Sequence, residues 1–172
     1  LYDKIAWHAM SVAEEEAIKK IFGERAVVFR AMNVSGAVPG ERRVKRKVKG
    51  QASFFALSRI SREKNLRGAI DILANAPDTA TVDYDIYGPI ADAVYWEQCQ
   101  DAIKKVPGHV KVSYKGAAPR DRVEELAGHH FFFLPTLGEN FGHAIVEAMG
   151  LGCPVIISDM TPWRGLEAEK AG

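Results

Sequence analysis

Cysteine is scarce in this chain, with only Cys99 and Cys153 among 172 residues and no C-x-x-C spacing. That excludes a disulfide-stapled miniature, speaks against a zinc knuckle or redox pair, and makes a reducing, cytoplasmic setting the default expectation. Long hydrophobic runs are missing too. No stretch approaches the ~18 to 20 apolar residues a membrane-spanning helix needs, and no charged segment feeds an apolar one at the start. Charge of one sign is also lacking: 23 Lys and Arg stand against 22 Asp and Glu, a formal net charge of +1. No whole-molecule field selects nucleic acid, so any anion site must be local. His8, His109, His129, His130 and His143 show neither H-x-H nor H-E-x-x-H spacing, so no metal is expected and packed or exposed rings are the plain reading.

What is there is an alternating pattern. Beyond Gly50, short apolar runs take turns with segments of helical period, as parallel βαβ units require. The spacing predicts strands over Gln51 to Ser58, Val82 to Tyr87, Val110 to Tyr114, Phe131 to Leu134 and Pro154 to Ser158. Helices are predicted after them: one carrying Leu66, Ala69, Ile70 and Leu73 at i, i+3, i+4 and i+7, then Ala91 to Lys105, Arg120 to Ala127, Phe141 to Leu151, and a last one from Pro162. Unbroken apolar stretches such as Phe131 to Leu134 suit strands covered on both faces, which gives an α/β, doubly wound parallel sheet of Rossmann-like type. Residues 51–172 form this domain in our reading, and residues 1–50 an interdomain segment and linker. In the latter, Ala13 to Phe22 reads as a helix capped by Ser11, and Ala26 to Phe29 as a strand. Arg42, Arg43, Lys45, Arg46, Lys47 and Lys49 sit in a stretch without amphipathic period. It reads as a solvated linker, with contact to anionic lipid as the alternative. The ends are abrupt, Leu1 inside an apolar stretch and Gly172 where a helix finishes, so the expectation is a piece of a longer enzyme, incomplete at both ends. Trp7, Trp96 and Trp163 read as packing residues rather than a stacking platform.

The densest chemistry lies in Pro135-Thr136-Leu137-Gly138-Glu139-Asn140-Phe141-Gly142-His143, which runs from a strand end through a turn into a helix. Ligands of open α/β sheets bind there, and the free amides of a helix's first turn suit a phosphate. Gly142 lets backbone approach a ligand closely. Glu139 before the helix and Glu147 within it accept hydrogen bonds only, so they suit the paired hydroxyls of a ribose or hexose. The bland alternative makes them a turn residue and a solvated helix face. Arg59 and Lys64, in the turn after the first core strand, open on the same sheet edge and could clamp a diphosphate, with Arg62 as a substitute; alternatively they solvate a loop.

Taken together, Glu139 to Glu147 as Glu-x7-Glu, the run Ala148 to Asp159 after it, and Ser58-Arg59-Ile60 to Lys64-Asn65-Leu66 before it resemble the donor site of the bacterial group 1 family of retaining glycosyltransferases. The resemblance covers nearly all of Gln51 to Gly172 and extends to His8 to Phe22. It implies the C-terminal, donor-binding domain of a GT-B fold. By that resemblance Arg59 and Lys64 bind the diphosphate of a nucleotide sugar and stabilise it as leaving group, Glu147 holds the ribose, and Glu139 contacts the transferred sugar. Thr136 and the backbone of Phe141, Gly142 and His143 belong to the donor cradle, while Lys115 and Gly116 lie near the base. Asn140 stands where the family often has Gly, and His130 where an Asp commonly precedes the strand. The implied partners are a nucleotide-sugar donor and a saccharide or lipid-linked acceptor bound by a missing N-terminal domain. The work would belong to polysaccharide or glycolipid synthesis, in the cytoplasm or peripherally at the inner membrane face. No nucleic acid, metal or bound cofactor is expected. A sugar-nucleotide epimerase of GT-B fold and a non-catalytic nucleotide-binding module are the alternatives.

Overall fold

The computed structural model describes residues 4–31, 48–117 and 123–165. These residues form two sheets. The first is a parallel pair, β1 (Ala6–Ala9) and β2 (Val27–Arg30), joined through α1 (Val12–Phe22). Ser11 caps α1 as expected, its hydroxyl accepting from the Glu14 amide at 3.1 Å, but β1 carries no alternation that would have announced it. This βαβ unit is lightly covered: α1 buries no residue, and Ile21 is 73% exposed. Trp7 stacks on Phe22 with ring centroids 4.2 Å apart.

The second sheet holds β3 (Gln51–Leu57), β4 (Thr81–Tyr87), β5 (Val110–Gly116), β6 (Phe131–Leu134) and β7 (Val155–Ile157), all parallel, in the order β5-β4-β3-β6-β7. Between them run α2 (Leu66–Leu73), α3 (Ala93–Ile103), α4 (Val123–Ala127) and α5 (His143–Gly150). The predicted stripe of α2 is its buried face: Leu66, Ala69, Ile70 and Leu73 are all in the core. Two helices start later than periodicity suggested, and for the same reason, since a capping residue fixes the first turn. Asp92 accepts from the Tyr95 amide at 2.8 Å, so α3 begins at Ala93; Gly142, with φ +81°, caps α5, which begins at His143.

Aromatic rings fill both faces of the sheet. Phe55 meets Phe132 edge to face at 5.3 Å, and the buried Tyr84 donates to the Phe133 carbonyl at 3.2 Å, so its hydroxyl is not left orphaned. At the starts of the strands, the His130 Nδ1 accepts from the Ser53 amide at 3.0 Å. It thereby does there what a carboxylate oxygen could do, joining β3 to β6. Trp96 packs on Tyr114 at 4.9 Å, a packing role as expected. The helix expected from Pro162 is not formed over Pro162 to Gly165; instead the Trp163 ring N–H donates to the Phe141 carbonyl at 2.6 Å and folds this segment back over the start of α5. Residues 166–172, the cluster from Arg42 to Lys47, and Arg120 lie outside the described residues, while Lys49 is exposed. Among the described residues no helix is long and apolar enough to cross a membrane.

Cys99 and Cys153 are both buried, and burial pushes each thiol above its ordinary range. The native chain should therefore resist an aromatic disulfide reagent at neutral pH, and both thiols should react only on unfolding. Rapid reaction of either thiol in the native state would contradict this packing.

Candidate functional site

The strand order reverses between β3 and β6, because β4 and β5 extend to one side of β3 while β6 and β7 extend to the other. Loops leaving the carboxyl ends of two such strands diverge and leave a crevice, the switch point of a doubly wound sheet. Arg59 to Asn65 follow β3, and Pro135 to Phe141 follow β6, so both sequence-derived elements border that crevice.

They meet across it. The Lys64 ammonium lies 2.6 Å from the Glu139 carboxylate, with side-chain exposures of only 13% and 17%. Three neutral bonds brace the same crossing. The Glu63 carbonyl accepts from the Leu137 amide at 2.7 Å and from the Thr136 hydroxyl at 2.8 Å, and the Asn65 amide group donates to the Pro135 carbonyl at 2.9 Å. On the far side, Glu139 donates its backbone N–H to the Met160 carbonyl at 3.0 Å, and the Ser158 hydroxyl donates to the Thr136 carbonyl. The loop that carries Glu139 is thus held from both flanks.

Arg59 stands at the root of the same turn, 66% exposed, with Glu63 its nearest acid at 3.7 Å. The Glu63 carboxyl is held below its ordinary range, chiefly by its own backbone N–H and further by the Arg59 and Lys64 charges, so it stays ionised beside Arg59. Arg62, the substitute cation, turns instead toward α3, 3.5 Å from Asp92 and with its guanidinium over the Tyr95 ring. Glu147 lies in the second turn of α5, half-buried, and its carboxylate makes no hydrogen bond or ion pair with any described residue. Phe141 and Gly142 are buried at the entry to α5, and His143 is exposed with its ring 4.9 Å from that of Phe141. A side chain at Gly142 would crowd its neighbours, because a Cβ there would stand 2.7 Å from the Ile145 Cδ1 and 3.1 Å from the Glu139 Cγ. Thr136 is fully buried, its hydroxyl engaged by the Glu63 and Gly138 carbonyls, so the structure places it as a brace of the loop. Lys115 and Gly116 end β5, two strands from β3, and Lys115 is 3.3 Å from Asp85, which also faces the His129 Nε2 at 3.3 Å.

Two residues to which the sequence pattern assigns no role also shape this geometry. Asn65 is the only described non-glycine residue with positive φ, at +52°, a conformation that costs an L-residue roughly 1 to 2 kcal/mol. Gly88, at φ +139°, carries the loop after β4 so close to β3 that a Cβ would stand 1.7 Å from the Ser58 carbonyl oxygen. The Gly88-Pro89 pair is a legible turn signal, but its tight approach to a strand 30 residues earlier is not.

The chain is therefore a doubly wound α/β domain in which the loops after β3 and β6 meet at the switch point of the sheet, where folds of this class take ligands. Residues 38–170 match the model of the glycosyl transferases group 1 family, and the chain belongs to that family. No curated protein sequence matches it. Among solved structures it is similar to the pneumococcal O-GlcNAc transferase GtfA in complex with UDP and GlcNAc, at 19% identity and a TM-score of 0.68 over 94% of this chain and 31% of that one. It is similar also to the lipopolysaccharide outer core galactosyltransferase WaaB, at 21% identity and a TM-score of 0.70 over 91% and 44%, and to Anabaena HepE in complex with UDP and glucose, at 19% and 0.66 over 90% and 44%. These likenesses are ones of fold, the GT-B fold, and the chain spans less than half the length of each of the three.

Replacing Lys64 by alanine strands a shielded carboxylate at Glu139, and equilibrium urea unfolding should show a loss of about 1.5 to 3 kcal/mol. Lys64→Ala combined with Glu139→Ala should lose less than Lys64→Ala alone, because neither charge is then left unpaired. Gly88→Ala should cost at least about 1 kcal/mol, since neither its φ nor the Ser58 carbonyl tolerates a methyl group. Wild-type stability in that variant would show that the two loops do not abut.

Proposed function

We propose that the chain binds a nucleoside-diphosphate sugar across the switch-point crevice, and that the enzyme to which it belongs transfers the sugar, with retention of configuration, to a saccharide or lipid-linked acceptor held by a further domain. The observation that carries this reading is the Lys64 to Glu139 contact, which puts a cation and an accept-only group side by side where such sheets take ligands. An ammonium has three N–H donors, so with one given to Glu139 two can serve diphosphate oxygens. Arg59, exposed beside it, adds a planar fork that suits the same group.

Other placements support the reading. The half-buried Glu147 carboxylate suits ribose hydroxyls, and the leading amides of α5, at Phe141, Gly142 and His143, suit phosphate and sugar oxygens. Lys115 and Gly116 on β5 lie three strand spacings from β6, roughly 14 Å, a span matched to an extended ligand with its base at that end. Two of the similar structures are complexes with UDP, which supports a donor of that class for this chain.

Breaking the sugar-phosphate bond leaves an oxocarbenium-like sugar and a departing diphosphate, so the chief requirement is charge stabilisation of the leaving group. Arg59, Lys64 and the α5 N-terminus provide it in this proposal with no metal. The 172-residue chain alone binds donor weakly and turns over little, since the acceptor and its positioning groups come from elsewhere. Synthesis of polysaccharide or glycolipid, in the cytoplasm or peripherally at the inner membrane face, is the setting this reading favours.

A thermal-shift panel of UDP-, GDP- and ADP-sugars should raise the melting temperature with one nucleotide series selectively, by mass action. In the complete enzyme, Arg59→Ala should lower kcat/KM for that donor by ~30- to 1,000-fold, the loss of one preorganised charge contact worth ~2 to 4 kcal/mol. Near-normal kcat/KM in this variant would remove Arg59 from the mechanism, and epimerisation of labelled donor without transfer would replace the reaction.

A further inference from the structure

Lys64 ends a single 3₁₀ turn, Arg62–Lys64, and the next residue, Asn65, must take the left-handed conformation before α2 can begin. Glycine meets that requirement without strain, yet an asparagine is present. Its side chain makes a specific contact, in which the Nδ2 group donates to the Pro135 carbonyl, across the crevice and 70 residues away. That contact needs space, which α2 provides at its third residue. A Cβ at position 68 would stand 2.6 Å from the Asn65 Oδ1 and 2.7 Å from the Nδ2, and the residue there is Gly68. A glycine inside a helix is disfavoured, as is an asparagine at positive φ. Both departures meet in one contact, which ties the residue next to Lys64 to the loop that presents Glu139.

We infer that Asn65, seated by Gly68, is a positioning residue that fixes the Lys64 ammonium over the crevice. It touches no reacting atom in this assignment and acts through Lys64. The bonds from Glu63 to Thr136 and Leu137 hold the backbone of the two loops together, but they enter before Lys64; the Asn65 bond closes the other side, so the lysine is carried between two fixed points. For binding of a diphosphate the inference rests on the function proposed above; for the placement of Lys64 it stands alone.

The test uses the 172-residue chain with Asn65→Gly, Asn65→Asp and Gly68→Ala. Asn65→Gly keeps the left-handed backbone without strain and removes only the amide; Asn65→Asp keeps the shape and cannot donate; Gly68→Ala displaces the amide. Competitive acetylation mapped by mass spectrometry reads the reactivity of Lys64 against the exposed Lys104. All three variants should speed labelling of Lys64 several-fold while Lys104 is unchanged; a uniform rise at both lysines, or no change at Lys64, overturns the inference. Calorimetry with UDP, GDP and ADP as probes supplies the second arm. Asn65→Gly should weaken the preferred nucleotide about tenfold, the worth of one well-placed hydrogen bond, and should weaken it no further in a Lys64→Ala background. Equal losses in both backgrounds would show that Asn65 acts apart from Lys64. If the wild-type chain binds none of the three nucleotides, the donor reading fails while the labelling arm still decides the placement of Lys64.

Discussion

The crevice is organised by one attraction, that between Lys64 and Glu139, which join loops 75 residues apart in sequence. Shielding strengthens the Coulomb term, but removing both charges from water costs nearly as much, so such a pair adds little net stability and much definition of geometry. Its energy depends on distance, and distance is set by the neutral bonds around it, through Glu63, Asn65 and Thr136. Charge and scaffold are therefore complementary. The neutral bonds bring two loops together, and the ion pair decides which atoms face each other when they arrive. Lys64 is thereby a cation already ordered between the two loops, with ammonium donors to spare beyond the one given to Glu139.

Much of this was legible in the sequence because it rests on periodicity. Leu66, Ala69, Ile70 and Leu73 repeat as a helix repeats, and Phe131 to Leu134 is too short and too apolar to be anything but a covered strand in this context. Lys64 and Glu139 were legible as types at sheet-edge positions. What failed to show was whatever depends on a partner far along the chain. Ala6–Ala9 is a strand because Val27–Arg30 lies beside it, not because of its own pattern. Arg62 is on paper a substitute for Arg59 or Lys64, and the position of α3, with Asp92 and Tyr95, draws it away from the crevice. Asn65 and Gly68 each look like a mild local flaw, and their joint purpose exists only in three dimensions.

The sheet also carries polar groups among its rings, and two of them are met by neighbouring side chains. Asp85 shares a row with Phe55 and Phe132, and its carboxylate is met by Lys115 and His129. Tyr87, in the same sheet, donates to Glu125 at 2.8 Å. These contacts tie α4 to the strands beneath it, which gives that short helix a fixed seat that its five residues of backbone bonding could not provide.

Among the described residues the margins of the five-stranded sheet are β5 and β7, and each is a poor template for another strand. The first carries Lys111 and Lys115 along its length; the second is three residues long. Unpaired amides and carbonyls on an outer strand invite docking of further copies, and lysine or brevity at that position discourages it. Lysine on one flank and brevity on the other are thus the features of this sheet that oppose its growth into ribbons.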